Sequence, residues 1–294
     1  MENKAKYKYQ VAIVGFGWVG KAMYELFPDA LIYSPRMVRN SDGQYVEGQM
    51  ADWENQKEEI QKEINEKATI AFVCVPTPCP NQSKLDTRAV EEAVAWLETD
   101  LIVVRSTVNP GDCDFLKAKY GKRIVMQPEY LGETPQHPLI DTAKTPFLVI
   151  GGDWKDRQTL IELYATVYNA NVKIRALTCY AAEIVKLCEN RAIAFKVAQH
   201  QELYDVCQAH NIDYYTIRDV VYDDDPRFNL WWSFIYPEKR GFNSKCIPKD
   251  IYAWCAWAES AGYTPEITRA ILEKNKQWIG ETEPEKTPSG QTVN

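Results

Sequence analysis

The chain is 294 residues long, 45% hydrophobic and 26% charged, with a formal net charge of -7 at neutral pH. That length accommodates two domains with cores of their own, and the composition is that of a soluble globular protein. An acidic balance without a basic block argues against a nucleic-acid binder, and no apolar run approaches the roughly 20 residues of a membrane span.

Lys4, Lys6 and Lys8 read as a solvated lead-in to a first strand at 9–14. A glycine turn follows, then a helix over 19–27 and a strand over 31–33. Residues 52–67 read as a charged helix with Trp53, Ile60 and Ile64 as its apolar markers. The run over 69–75 is almost continuously apolar, as expected of a parallel strand covered on both faces, and Pro76 and Pro78 end it. Helices are expected over 87–97, 115–119 and 156–168, and strands over 101–105, 123–126, 147–150 and 172–174. This alternation indicates an α/β Rossmann fold built on a doubly wound parallel sheet.

Beyond residue 180 the texture changes. Residues 181–210 lack proline and glycine and read as one helix roughly 45 Å long. Its apolar positions (Ile184, Leu187, Ile193, Val197, Leu203, Val206) cover more than one face, which suits a spine between domains or a dimer contact. A small all-helical unit is expected over 214–279, within which Trp231, Trp232, Phe234 and Tyr236 read first as core, with a partner contact or a lid as alternatives. We therefore expect a Rossmann domain over 1–177, a connecting and dimerisation helix with a helical domain over 178–280, and a disordered tail over 281–294. No secretory leader precedes the first strand, so the eight cysteines read as reduced thiols of a cytoplasmic protein. Cys74 and Cys79 lack a second pair, and no metal site is expected.

Gly15-Phe16-Gly17-Trp18-Val19-Gly20 lies between a strand and a helix, the context in which this glycine spacing binds a dinucleotide. Gly15 allows the tight turn, Gly17 lets the pyrophosphate approach, and Gly20 permits close packing, with the helix N-terminus facing the phosphates. An acidic residue about 20 positions later normally binds the ribose 2'-hydroxyl. Here the chain reads Tyr33-Ser34-Pro35-Arg36. Without a carboxylate a 2'-phosphate is not repelled, and Arg36 either pairs with it or is merely solvated. NAD and NADP both stay open.

Far downstream, Pro248 suits the first turn of a helix. Cys246 would then sit near the positive helix end, beside Lys245 and Lys249, features that raise a thiolate fraction. Such a thiolate can attack an aldehyde to give a thiohemiacetal, and oxidation of that adduct gives a thioester for water to hydrolyse. Lys186 and Asn190, four apart, share one face of the long helix.

Six motifs in order make the chain resemble the UDP-glucose/GDP-mannose (nucleotide-sugar) dehydrogenase family over about 10–279. They are the glycine turn, Val73-Cys-Val-Pro-Thr-Pro78, Ser106-Thr-Val-Asn-Pro-Gly111, Pro128-Glu-Tyr-Leu-Gly-Glu133, Glu183-Ile-Val-Lys-Leu-Cys-Glu-Asn190 and Cys246-Ile-Pro-Lys-Asp250. The resemblance implies a four-electron oxidation of a sugar C6 alcohol to a carboxylate, of the kind that serves polysaccharide synthesis, by a homodimer. It implies cofactor contacts from Gly15, Phe16, Gly17, Trp18, Val19, Gly20, Ser34, Arg36, Val75, Pro76, Thr77, Ser106 and Thr107. Substrate contacts would come from Tyr130, Leu131, Lys186, Asn190, Gly241 and Phe242. Cys246 would be the nucleophile, Lys186 and Asn190 oxyanion donors, Glu129 or Glu133 the proton acceptor, and Thr107 with Asp250 the holders of water.

The pattern breaks in three places. Asn243-Ser244 stands where the family has Gly-Gly, and Gly132 where it has an arginine. Family members also continue for roughly another domain over the nucleotide end of the substrate, so a short form is expected, with that wall supplied by another chain, a smaller substrate, or residual activity. Two other readings stay open: a two-electron dehydrogenase of a hydroxy acid or sugar acid that does not use Cys246, and a noncatalytic cofactor-binding partner subunit.

Overall fold

A computed structural model describes residues 8–132, 139 and 141–281. The chain forms two compact units, one from the residues up to 80 and 85–186, the other from 81–84 and 187 onward.

In the first unit the order is β1 (Val11–Val14), α1 (Trp18–Leu26), β2 (Leu31–Tyr33), β3 (Met37–Arg39), β4 (Tyr45–Glu47), α2 (Met50–Lys67), β5 (Ile70–Val73), α3 (Arg88–Trp96), β6 (Leu101–Val104), α4 (Asp112–Tyr120), β7 (Ile124–Met126), β8 (Phe147–Gly151), α5 (Trp154–Tyr164) and β9 (Lys173–Leu177). Every residue of β1, β5 and β6 is buried, and alternate side chains serve opposite faces of the sheet. Ala12, Val14, Ala71, Val73, Ile102 and Val104 pack with Ile60 and Ile64 of α2, Val90 and Val94 of α3 and Leu116 of α4. Val11, Ile13, Ile70, Phe72, Leu101 and Val103 pack with Met23 and Leu26 of α1 and Leu160 and Leu163 of α5. Each large side chain so enclosed contributes about 1.5–3 kcal/mol.

Seven strands lie in the order β2-β1-β5-β6-β7-β8-β9, while β3 and β4 form a separate antiparallel hairpin that the sequence pattern did not signal. The expected parallel sheet has one exception. β7 and β8 pair antiparallel, at Met126 and Gly151. A parallel return needs a long crossover, usually helical, and the described residues between these two strands hold only a short 3-10 turn at Thr142–Lys144. Strand order reverses at β1, with β2 on one side and β5 on the other, which opens a crevice at their carboxyl ends.

The first turns of α6 (Cys179–Ala209) belong to this unit. Glu183 accepts the amide hydrogens of Gly111 at 2.6 Å and Cys113 at 2.9 Å, so it caps the N-terminus of α4. Burial pushes the Glu183 carboxyl up, and the two amides only partly oppose it.

The second unit takes the rest of α6 with α7 (Tyr214–Asp219), α8 (Ile247–Ser260) and α9 (Glu266–Trp278). Ala194 of α6, Phe242, Ile251 and Cys255 of α8, and Leu272 of α9 form its core. Among the described residues this unit holds helices and no strand, as expected of an all-helical unit; 225–246 is its non-helical segment and carries Pro226, Pro237 and Gly241. The core reading of that segment's aromatic stretch is corrected. Extended chain alternates sides, so Ser233 and Ile235 turn inward while Phe234 and Tyr236 are about half exposed, at 52% and 56%, as is Trp231 at 48%.

His200 is buried beside Tyr214, whose hydroxyl donates to the Ser233 carbonyl at 2.8 Å and lies 3.1 Å from His200 Nδ1. Burial, reinforced by Lys196 and Arg218, pushes the His200 pKa from 6.5 down to about 4. An unfolded chain therefore takes this proton near 6.5 while the folded one resists until about 4, so stability holds above that window and falls as pH drops through it. Urea midpoints at about pH 7 and pH 5 should differ more for the wild type than for H200N; equal differences would remove His200 as the cause.

Candidate functional site: a dinucleotide cleft and a cysteine at a helix start

A cleft of about 550 Å³ lies at the switch point between β1 and β5. Of the expected cofactor residues it is lined by Gly15, Phe16, Gly17, Ser34, Arg36, Val75 and Pro76. Tyr33, the first residue of the 33–36 segment, lines it too, and Gln61, Glu92 and Trp96 join them without any signal in the sequence, since they come from two separate helices and share no motif. Trp18, Val19, Gly20, Thr77, Ser106 and Thr107 do not line it. Trp18 is exposed at the start of α1, and the Ser106 hydroxyl donates to the Val75 carbonyl at 2.7 Å, latching the end of β6 to that of β5.

The three glycines act differently. Gly15 has φ +96°, and a Cβ there would lie 2.5 Å from the Cys74 carbonyl oxygen. At Gly20 a Cβ would stand 2.1 Å from the Gly15 oxygen, so this glycine lets α1 close on the turn. A Cβ at Gly17 would meet no protein atom within 4 Å. The protein has no packing reason to keep Gly17 bare; the space it leaves at the N-terminus of α1 fits a pyrophosphate.

Beyond β7, Glu129 uses both carboxylate oxygens. One accepts from the Arg105 guanidinium, and the other from the amides of Tyr130 at 2.7 Å and Leu131 at 2.8 Å. Arg105 is 5% exposed, and although burial alone would lower its pKa, the Glu129 charge holds it raised. This pair fixes the start of the 129–132 loop. The Tyr130 ring in turn carries the Lys186 ammonium 5.2 Å from its centroid. Glu133 lies outside the described residues. Thr107 is partly buried in the loop after β6.

In the second unit Cys246 is the exposed N-cap of α8, with Pro248 in the first turn. One turn on, the Asp250 amide donates to the Cys246 carbonyl at 3.2 Å. The Asp250 side chain is fully buried, bonded to the Asn190 amide and paired with Lys249 at 2.6 Å. Asn190, Asp250 and Lys249 are thus brought together. Lys249 serves this carboxylate, a role the sequence did not indicate. Asn275 was also missed: it accepts the Phe242 amide at 2.8 Å and donates to its carbonyl at 3.0 Å. The Phe242 side chain is core, leaving backbone to represent this segment, and Gly241 has φ +70° with a Cβ site 2.5 Å from Asn275 Oδ1.

A doubly wound sheet with a glycine-turn cleft at its switch point defines a dinucleotide-binding protein. Residues 44–169 match the model of the UDP-glucose/GDP-mannose dehydrogenase family NAD binding domain, and 180–277 match that of its central domain. The chain belongs to the UDP-glucose/GDP-mannose dehydrogenase family, and its cofactor is NAD. It is similar to a UDP-glucose 6-dehydrogenase of Rickettsia prowazekii, 26% identical over 70% of this chain and 48% of that protein. It is likewise similar to a GDP-mannose 6-dehydrogenase of Pseudomonas aeruginosa, 29% identical over 71% of this chain and 51% of that one. The chain spans about half the length of the curated relatives it matches. In fold it is similar to a UDP-glucose dehydrogenase from Pyrobaculum islandicum, with a TM-score of 0.70 and 22% identity over 94% of this chain and 70% of that one.

Two predictions follow from this geometry. G17A should leave the thermal midpoint within about 2 °C and weaken NADH binding about tenfold or more, whereas G20A should destabilise the fold by about 1–3 kcal/mol; equal effects in both would refute the division of roles. R105M should cost about 3–5 kcal/mol in urea unfolding, because it strands a largely buried carboxylate, and R105K should cost less. A neutral R105M would show that the pair does not hold the loop.

Proposed function

We propose that this chain oxidises the C6 alcohol of a nucleotide sugar to the carboxylate, in the manner of a UDP-glucose 6-dehydrogenase, with Cys246 holding the substrate covalently between two oxidations. The observation that carries the reading is an exposed cysteine at the N-cap of α8, one helical turn from a buried carboxylate held by Asn190 and Lys249. NAD, when bound, accepts a hydride from C6 in each oxidation.

The residues divide the remaining work. The Cys246 thiolate adds to the C6 aldehyde, and the oxygen that becomes an alkoxide is met by the Lys186 ammonium and the Asn190 amide. After the second oxidation C6 is a thioester, and water attacks it, releasing the carboxylate and the thiol; Asp250, with both oxygens committed to Asn190 and Lys249, positions those two side chains. Glu129 has both oxygens committed to Arg105 and to two amides, which leaves Glu133 the better candidate for accepting the alcohol and water protons. Gly132, in place of the family's arginine, and Asn243-Ser244, in place of its glycines, would reshape the sugar pocket.

We further infer a homodimer in a reducing, cytoplasmic setting that feeds polysaccharide synthesis. Exposed Val206, Ile212, Val220 and Val221 support the dimer, and none of the eight cysteines forms a disulfide. No helix among the described residues is long and apolar enough to cross a membrane.

Reduced cofactor should accumulate at two equivalents per sugar when a panel of nucleotide sugars is tested, and C246A should lose turnover by on the order of 10⁴-fold. One equivalent per sugar, unaffected by C246A, would instead indicate a two-electron dehydrogenase. Tight cofactor binding with no turnover on any sugar would indicate a noncatalytic subunit.

A further inference from the structure

We propose that the β2 end of the cleft is a subsite for a 2'-phosphate, with Arg36 as its cation and Ser34 as its hydroxyl donor, so that NADP binds at least as tightly as NAD. The inference rests on the dinucleotide reading of this cleft and is independent of the C6 chemistry.

In this fold the residues at the end of the second strand face the adenosine ribose, where a carboxylate ordinarily receives the 2'-hydroxyl and repels a phosphate. β2 ends at Tyr33, and Tyr33, Ser34, Pro35 and Arg36 all line the cleft. The Tyr33 ring is wedged between Trp53 and Trp96, with centroids 4.6 and 4.8 Å away, and its hydroxyl accepts from Gln61 at 2.8 Å. None of these groups is acidic. Among the described lining residues Glu92 is the single carboxylate, and it comes from α3, after β5, rather than from the segment that follows β2.

The backbone around Arg36 is fixed while its side chain is uncommitted. Its amide donates to Ser34 Oγ at 3.3 Å, its carbonyl accepts from Gly48 at 3.3 Å, and the Ser34 carbonyl accepts from Met37 at 3.0 Å. Three residues on, Arg39 is engaged by Glu63 and Tyr45. Among the described residues, Arg36 and Arg175 are the two arginines whose guanidinium has no hydrogen-bond, ion-pair or ring partner, and Arg175 sits in β9, at the opposite edge of the sheet. A fixed backbone with an uncommitted guanidinium beside an acid-free cleft is suited to a phosphate, which accepts paired hydrogen bonds from arginine. The Ser34 hydroxyl accepts from the Arg36 amide and still has its own proton to donate.

The test is direct binding of NADH and NADPH, followed by fluorescence or calorimetry, to the full chain and to R36A and R36E. Arg36 is exposed, so neither substitution threatens folding. NADPH should bind the wild type at least as tightly as NADH. R36A should weaken NADPH about tenfold or more while changing NADH by less than about twofold, and R36E should weaken NADPH further. The proposal is overturned if the wild type holds NADH more tightly than NADPH, or if R36A weakens both alike. Binding of neither dinucleotide would overturn the cofactor reading itself, and this proposal with it.

Discussion

At Gly15 the chain passes so close to the end of β5 that a methyl group would sit 2.5 Å from the Cys74 carbonyl oxygen. The cleft depends on this approach. Bringing the β1 turn against β5 lets Gly20 close α1 onto the same turn, and the bare Cα of Gly17 is then left facing open space at a helix N-terminus. The surrounding strands, buried on both faces, hold the approach rigid, and the Ser106 hydroxyl extends the same order to the end of β6. The sheet's role here is to fix these backbone segments close together beside the open space at the helix N-terminus, where a phosphate can reach amide hydrogens.

The two units manage buried charge in one way. Arg105 with Glu129, and Lys249 with Asp250, each put a cation against a carboxylate that would be costly to bury alone. In the second unit this places a carboxylate paired with Lys249 one helical turn from Cys246, the N-cap of α8.

Periodicity made most of the scaffold legible. The apolar runs of β5 and β6 have one physical explanation, and the proline-free, glycine-free stretch of α6 has another; both were readable. The β3–β4 hairpin was not, because its strands are three residues each and too short to show a period. The aromatic stretch at 231–236 was misread because aromatic content was taken for core, whereas Phe234 and Tyr236 alternate with the buried Ser233 and Ile235 and face outward. At the candidate site the glycines could be read individually, since each spacing has a steric meaning. The partners Arg105–Glu129 and Asn275–Phe242 could not, being 24 and 33 residues apart with nothing local to link them.

Glu183 has a wider reach than a cap. By binding the amides of Gly111 and Cys113 it fixes the azimuth of α6 about its own axis. A helix turns about 100° per residue, so Lys186, three positions on, and Asn190, seven on, stand within about 60° of the direction Glu183 points. One carboxylate thereby acts as the keyway of a shaft. A single residue inserted between 183 and 186 would leave the cap intact and swing the Lys186 ammonium about 100° away from the ring of Tyr130.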